Sequence, residues 1–418
     1  MPLELQSLPF DPADPKAALA QLPQSPAVFA LYGADANAEP YIGRTPNLRS
    51  RLDRLLEPSP HHPRRLHLAG LVRRIAWQPT GSEFESLLVQ FDLLQKVHGT
   101  KCLERMHLRP PAFVRFLGGN PYPRITVTHR PSLREADWAY GPFPSRASAE
   151  GYAEEMLKLF LLRRCTFDLD PDPSFPGCVY SEMKMCLAPC YQGCTDERYA
   201  EEAAAVENFL STRGESRLVA LRTQRDHASA NLEFESAAAL HAQAQRVESV
   251  RALAAGLVRP LSRLRAVILQ ASANPDEVAV FLFENGRLRG PAPFSTLGMR
   301  IQNEQSGSTS LFAQPMAMEA VPEAETEAPR EQGSAKIPRT LLESRLETVF
   351  AALAAPADPP SNTVRQGHLA LLKRWYYRPE ARRTGEIFFP DADDRWPIRA
   401  ILRGAGRVAA DKLKSSAS

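Results

Sequence analysis

No apolar stretch in this 418-residue chain approaches the roughly 20 residues that cross a bilayer, so no membrane association is expected. The start, MPLELQSLPFDPADPK, lacks a basic opening and an apolar core. A secretory signal is therefore not expected, and the expected compartment is the cytoplasm. Net charge is slight: 51 Lys+Arg stand against 48 Asp+Glu, leaving +3. Aromatics are only 8% of the chain, but apolar residues reach 44%. That is enough for packed cores and excludes wholesale disorder. No internal repeat is visible. Cysteine is scarce, six in all, yet Cys165, Cys178, Cys186, Cys190 and Cys194 fall within 30 residues. In a reducing compartment such clustering favours a metal site over disulfides. Proline is abundant, at 37, and predicts many loops and stiff connections.

The small net charge hides local excess. Between Tyr41 and Ile75 eight arginines (44, 49, 51, 54, 64, 65, 73 and 74) face two acids, Asp53 and Glu57. Residues 371–418 carry eleven Lys/Arg against six acids. Arginine-rich patches neutralise phosphates and release counterions, so nucleic acid is the expected partner. A solvated basic helix face is the plainer alternative.

Ala27–Tyr32 (AVFALY) and Tyr41–Gly43 read as strands around the turn-rich GADANAEP. Asn47 is the expected N-cap of a helix carrying Leu48, Leu52, Leu55 and Leu56. Ala69–Trp77 predicts a third strand, and Phe84, Leu87, Leu88, Phe91 and Leu94 predict an amphipathic helix after Ser82. Strand, strand, helix, strand, helix makes a small α/β domain over 20–105. Residues 106–195 form a connecting, cysteine-bearing region, with a strand near Arg124–Thr128 and a helix over Ala149–Leu162. Residues 196–257 read as a helical hairpin broken at Gly214, with Val206, Phe209 and Leu210 facing Phe234, Ala238 and Val247. Residues 258–304 form a small β region with an Asn285-Gly286 hairpin turn. A flexible linker is expected over 305–338, and a basic helical region over 339–418. That last region carries helices near 339–354 and 362–377 and a strand at Glu386–Phe389. The Arg-rich tail, with Trp375, Tyr376, Tyr377 and Trp396, either stacks on bases or supplies a terminal core; the core is the expectation. The expected fold class is α+β and multidomain.

The cysteine spacings are Cys165-x12-Cys178-x7-Cys186-x3-Cys190. Soft thiolates select zinc or iron–sulfur. Structural zinc usually takes two tight pairs, and only the Cys186/Cys190 end is tight. Spacing alone leaves both metals open.

Four segments in order resemble the UvrC family of bacterial excinucleases, over roughly residues 20–255. Ala27-Val28-Phe29, followed by Tyr41-Ile42-Gly43-Arg44 and the Asn47–Leu52 stretch, is similar to the family's GIY-YIG nuclease motif. Ser82–Gln90 is similar to its second helix. Tyr140–Phe143 through Arg164-Cys165, and then Met185–Cys190, resembles its cysteine region. Asn231–Ala238 resembles the UVR motif, although His241-Ala242 stands where Arg-Asp is usual.

The resemblance implies that Cys165, Cys178, Cys186 and Cys190 ligate a [4Fe–4S] cluster, with zinc as the alternative and Cys194 a bystander. It implies pairing with UvrB, or a UVR-like partner, through 231–248. It makes Tyr41 the proton-transfer tyrosine, Arg51 the phosphate-contacting arginine and Arg44 a replacement for a lysine. It implies double-stranded DNA as the partner, with Arg49, Arg54, Arg64 and Arg65 as expected contacts.

Four positions depart from the pattern, one being Leu55, where the family has a tyrosine four residues after the arginine. The first motif's tyrosine is Phe29, the metal-seating glutamate is Gln90, and a family asparagine falls on Cys102. Mg²⁺ is typically anchored through one or two carboxylates, and a neutral amide supplies no charge. Glu85 and Asp92 are the nearest acids in sequence to that position. The C-terminal third lacks the clustered carboxylates of a second, two-metal nuclease. The expectation is a DNA-binding relative with a degenerate site, acting as an accessory of nucleotide excision repair. An active single-nick endonuclease using Mg²⁺ or Mn²⁺ is one alternative, and a UvrB-binding scaffold without catalysis is the other.

Overall fold

The computed structural model describes residues 5–35, 37–56, 68–297, 299, 338–355, 358–391 and 393–417. Arg64, Arg65 and all but the last residue of the expected 305–338 linker lie outside the described residues.

The chain opens with β1 (Gln6–Pro9) and α1 (Pro15–Ala20). β2 (Ala27–Gly33), β3 (Tyr41–Thr45) and β4 (Val72–Pro79) complete an antiparallel sheet in the order β1-β4-β2-β3. Central β2 is buried from Ala27 through Leu31, which is why it reads as an unbroken apolar run. Between β3 and β4, α2 (Leu48–Leu56) buries its four leucines, and Asn47 Oδ1 accepts the Ser50 N–H at 3.0 Å as the expected cap. α3 (Glu83–His98) is capped by Ser82, whose Oγ accepts the Glu85 N–H at 3.1 Å. The expected order of strands and helices over this stretch is met, with β1 and α1 added ahead of it.

α4 (Cys102–Arg105) leads to a second antiparallel sheet, ordered β6-β5-β7-β8. Its strands are β5 (Ala112–Phe116), β6 (Ile125–Thr128), β7 (Ala139–Phe143) and the distant β8 (Arg259–Pro260). α5 (Arg146–Leu157) packs on this sheet, starting and ending earlier than the expected helix. α6 (Val179–Glu182) lies within the cysteine segment.

Over 196–257 the structure corrects the expected single hairpin. Three helices form: α7 (Asp196–Ser211), α8 (Glu215–Ala230) and α9 (Phe234–Ala252). Gly214, at φ +79°, does break the chain, but the antiparallel pair is α8 with α9, turning at Asn231–Glu233. Leu232 takes φ +63° there. A leucine in the left-handed region is no turn signal, so sequence alone misses this break. Val206, Phe209, Leu210 and Val247 share a core as expected, whereas Phe234 and Ala238 are exposed at the turn end of the pair. The buried residues of α9 (Ala244, Val247 and Val250) lie toward its other end.

The third sheet, β11-β10-β9-β12, joins β9 (Ala266–Ala271), β10 (Glu277–Glu284), β11 (Arg287–Ser295) and β12 (Glu386–Phe388), all antiparallel. Asn285 and Gly286, at φ +52° and +74°, make the expected two-residue turn. α10 (Arg339–Leu353) and α11 (Asn362–Tyr376) follow. α12 (Ile398–Ala417) adds a third helix to the basic helical region expected over 339–418. Its Ile401, Leu402, Ala405, Val408 and Ala409 are buried with Val267 and Val280 of the sheet, an apolar stripe that alanines dilute in the sequence.

α3 is the hub between the first sheet and the C-terminal elements. Val89 and Leu93 pack with Val28 of β2. On another face, the Phe84 ring lies 5.2 Å from Phe281 and 5.4 Å from Trp375, and Phe91 lies 5.3 Å from His368. Gly367 of α11 backs onto the Phe91 ring, where a Cβ would meet ring carbons at 2.2 Å. Trp375 is 2% exposed and donates to the Thr384 carbonyl, and the Tyr377 hydroxyl donates to the Pro142 carbonyl at 2.8 Å. These aromatics are core, as expected, and Trp375 has no face left for base stacking. The architecture is α+β, built on small antiparallel sheets. Among the described residues no helix is long and apolar enough to cross a membrane.

Candidate functional site

The β2–β3 register sets Leu31 opposite Tyr41 and Phe29 opposite Gly43. Gly43 is required there: a Cβ would stand 2.7 Å from the Phe29 ring. That ring is buried and lies 6.1 Å from the partly exposed Tyr41 ring. α3 packs against β3, so Tyr41 and Arg44 come from one element and Gln90 from its neighbour. Gln90 is partly exposed, and Arg51 is partly exposed on α2. Cys102 is fully buried within the α3–α11 core and takes no place at the surface.

Two of the three acids of α3 are engaged in hydrogen bonds. Glu83 receives both Arg378 guanidinium nitrogens at 2.8 Å and Arg44 Nη1 at 3.4 Å. The Arg378 hydrogen bonds foremost hold its carboxyl down, at about 2. Asp92 faces His368 Nε2 at 3.8 Å. Glu85 turns back along its own helix, where its Oε2 accepts the Gly81 N–H at 2.8 Å. Together with the Ser82 cap this makes a capping-box-like closure, which consumes the carboxylate. Among the described residues no three His, Cys, Asp or Glu side chains are gathered closely enough to share one metal ion.

Burial pushes the Glu85 carboxyl up to about 7, with the Gly81 N–H pulling the other way. The folded state therefore keeps a proton that the unfolded chain releases near 4.5, and stability falls as pH rises from there through about 7. Glu85→Gln keeps an acceptor and removes the ionisation. It is expected to raise stability by roughly 1–3 kcal/mol at about pH 8 and to change little near pH 4.5. Urea unfolding at both pH values checks this.

The expected DNA-contacting arginines divide. Arg49 gives Nε to the Leu22 carbonyl and Nη2 to the Ala20 carbonyl, both at 2.8 Å, and so ties α2 to the end of α1. Arg54 is exposed and bonds its own helix at the Ser50 carbonyl. Arg44 is exposed and leans on Glu83.

The cysteine segment has little core of its own. Residues 164–187 contain no buried residue, and α6 is their one helix or strand. Lys184, Ala188 and Gln192 take φ of +54°, +56° and +59°, conformations that side chains other than glycine adopt at a cost. Cys165, Cys178, Cys186 and Cys190 are free thiols and electrostatic neighbours. Burial first, then the adjoining Cys178, Cys190 and Cys165, pushes the Cys186 thiol up. Beside them, Arg163 Nη1 reaches Cys165 Sγ at 3.4 Å.

Sequence reasoning missed Arg163 and Arg378. Arg163 directly precedes the Arg164-Cys165 pair, so its place before a cysteine ligand candidate was a usable signal. Arg378 had none, since 295 residues separate it from Glu83.

Residues 114–209 match the family described as UvrC/Cho excinuclease, middle domain, a span that holds all five clustered cysteines. The UvrABC system protein C of Alcanivorax borkumensis is 29% identical over 240 residues, covering 57% of this chain and 39% of that protein. The proteins of the same name from Aromatoleum aromaticum and Shigella dysenteriae are 29% and 28% identical, over 58% and 57% of this chain and 40% and 41% of theirs. The chain thus spans about two fifths of the length of these curated relatives. No solved structure matches significantly. The matched middle domain, which holds the clustered thiols, and relatives that align over more than half of this chain make it similar to the UvrC family over these residues.

Proposed function

We propose that this chain is a DNA-binding UvrC-family protein of nucleotide excision repair whose N-terminal GIY-YIG-type site grips the phosphate backbone without efficient cleavage. The observation that carries this reading is the state of α3. Gln90 is uncharged, Glu83 and Glu85 are committed to Arg378 and Gly81, and Asp92 stands two residues further along the helix, 3.8 Å from His368 Nε2. At position 90 a hard divalent ion then meets an uncharged amide, and among the described residues no three His, Cys, Asp or Glu side chains gather to hold one. Tyr41, Arg44 and Arg51 remain as phosphate-facing groups on adjoining elements. An arginine there neutralises phosphate charge whether or not a bond is cut.

A [4Fe–4S] cluster on Cys165, Cys178, Cys186 and Cys190 belongs to the same reading. The coreless 164–187 segment and its strained backbone supply the need for a staple. When bound, such a cluster supplies covalent bracing between α5 and α7. The exposed Leu232 and Phe234, at 72% and 65%, give the α8–α9 turn an apolar face suited to a UVR-like partner such as UvrB.

Salt-dependent binding tests the DNA reading. Fluorescence anisotropy on a labelled duplex should give an affinity that falls steeply with salt. Changing Arg51 and Arg54 together to alanine should lower the log–log slope by about two. An unchanged slope would remove these arginines from the interface.

A further inference from the structure

Arg163 is the largest fully buried side chain among the described residues, at 1% exposure. Its guanidinium bonds go to the Tyr122 carbonyl from Nε at 2.9 Å, to the Phe167 carbonyl from Nη1 at 2.8 Å, and to Cys165 Sγ. None goes to a carboxylate, and Nη2 has no partner. The nearby Tyr199 hydroxyl accepts from the Arg163 main-chain N–H and donates to the Pro123 carbonyl, so it is a neutral bystander to the charge. Burying a guanidinium without an anion is among the most expensive arrangements a fold can hold. Neutral carbonyls satisfy its N–H groups but not its charge. The one anion-forming group it touches is the sulfur of Cys165, with Cys186 and Cys190 as that sulfur's electrostatic neighbours.

We propose that Arg163 is the charge partner of the thiolate set: a positioning residue that fixes Cys165 and offsets the negative charge of four cysteines around a [4Fe–4S] cluster. This inference rests on the cluster reading above. Arg163 also explains how the segment is aimed. One guanidinium holds the carbonyl ends of two loops, at Tyr122 and Phe167, while presenting its third contact to the ligand sulfur. Groups that orient a metal ligand in this way typically change metal retention by about 10–100-fold when removed.

The test uses the full chain, purified without oxygen, with iron and acid-labile sulfide counted per chain and the loss of iron to a ferrous chelator timed. Arg163→Met keeps bulk and removes charge, Arg163→Lys keeps charge, and Tyr199→Phe perturbs the surroundings without touching charge. The expected result is iron loss about 10–100-fold faster in Arg163→Met, with Arg163→Lys within a few-fold of the parent, Tyr199→Phe near it, and far-ultraviolet circular dichroism melts alike. Equal retention in the parent and Arg163→Met overturns the inference, as does Arg163→Lys failing as badly as Arg163→Met, or Tyr199→Phe failing equally. If Arg163→Met does not fold, Arg163→Lys decides: iron retained supports the charge partner, and iron lost overturns it. A parent protein with neither iron nor sulfide overturns the cluster reading and this inference together, which separates the two failures.

Discussion

Replacing Phe91 with alanine is expected to cost about 3–5 kcal/mol of folding stability, the range for deleting a fully buried aromatic. Phe91 has 0% exposure and sits between α3 and α11, edge-on to His368 and flush against Gly367. The glycine leaves no side chain to move into the vacated space, so the cavity cannot collapse from that side. Loss of the ring also loosens the contact through which the C-terminal elements brace the helix that carries Gln90. Urea unfolding gives the number, and Leu71→Ala, at a site 69% exposed, serves as the control expected to stay within about 0.5 kcal/mol. A Phe91→Ala penalty under about 1 kcal/mol would mean that the N-terminal sheet and the C-terminal elements do not share this core.

The second large effect is a gain. Gln90→Glu restores a carboxylate at a partly exposed position of α3, the helix packed against the strand of Tyr41 and Arg44. Metal-ion assistance is worth several kcal/mol in phosphoryl chemistry, and each 1.36 kcal/mol is tenfold in rate. Mn²⁺-dependent nicking of duplex DNA is therefore expected to rise on the order of 10²-fold over the parent. The Phe29 ring, where the family's first motif carries a tyrosine, is expected to keep the rate below that of an intact site. If Gln90→Glu binds Mn²⁺ but cuts no faster, the missing part is the Phe29 hydroxyl position and not the metal seat.

Much of this was legible from residue pattern. The unbroken apolar run of β2, the leucine face of α2 and the Ser82 cap of α3 are strong local signals, and all three appear as expected. The Asn285-Gly286 turn was equally plain. What stayed hidden is non-local or chemically silent. Leu232 takes the left-handed bend itself, with Asn231 before it as the one local turn signal. α12 buries alanines, which carry little hydrophobic contrast. At the candidate site, the sequence places Tyr41 on a strand and Gln90 on a helix, and the structure forms both elements. That Glu85 spends itself on Gly81, that Arg49 anchors α1, and that Arg378 arrives from the far end of the chain to hold Glu83 follows only from tertiary packing.

The measurement that bears most directly on the central claim is incubation of the purified chain with a lesion-bearing duplex in Mg²⁺ or Mn²⁺, with binding and strand cleavage read in the same samples. The account predicts salt-sensitive binding with no metal-dependent nick above background. Nicking that needs the metal and disappears in Tyr41→Phe would contradict it, because the site would then seat its ion without a carboxylate at Gln90.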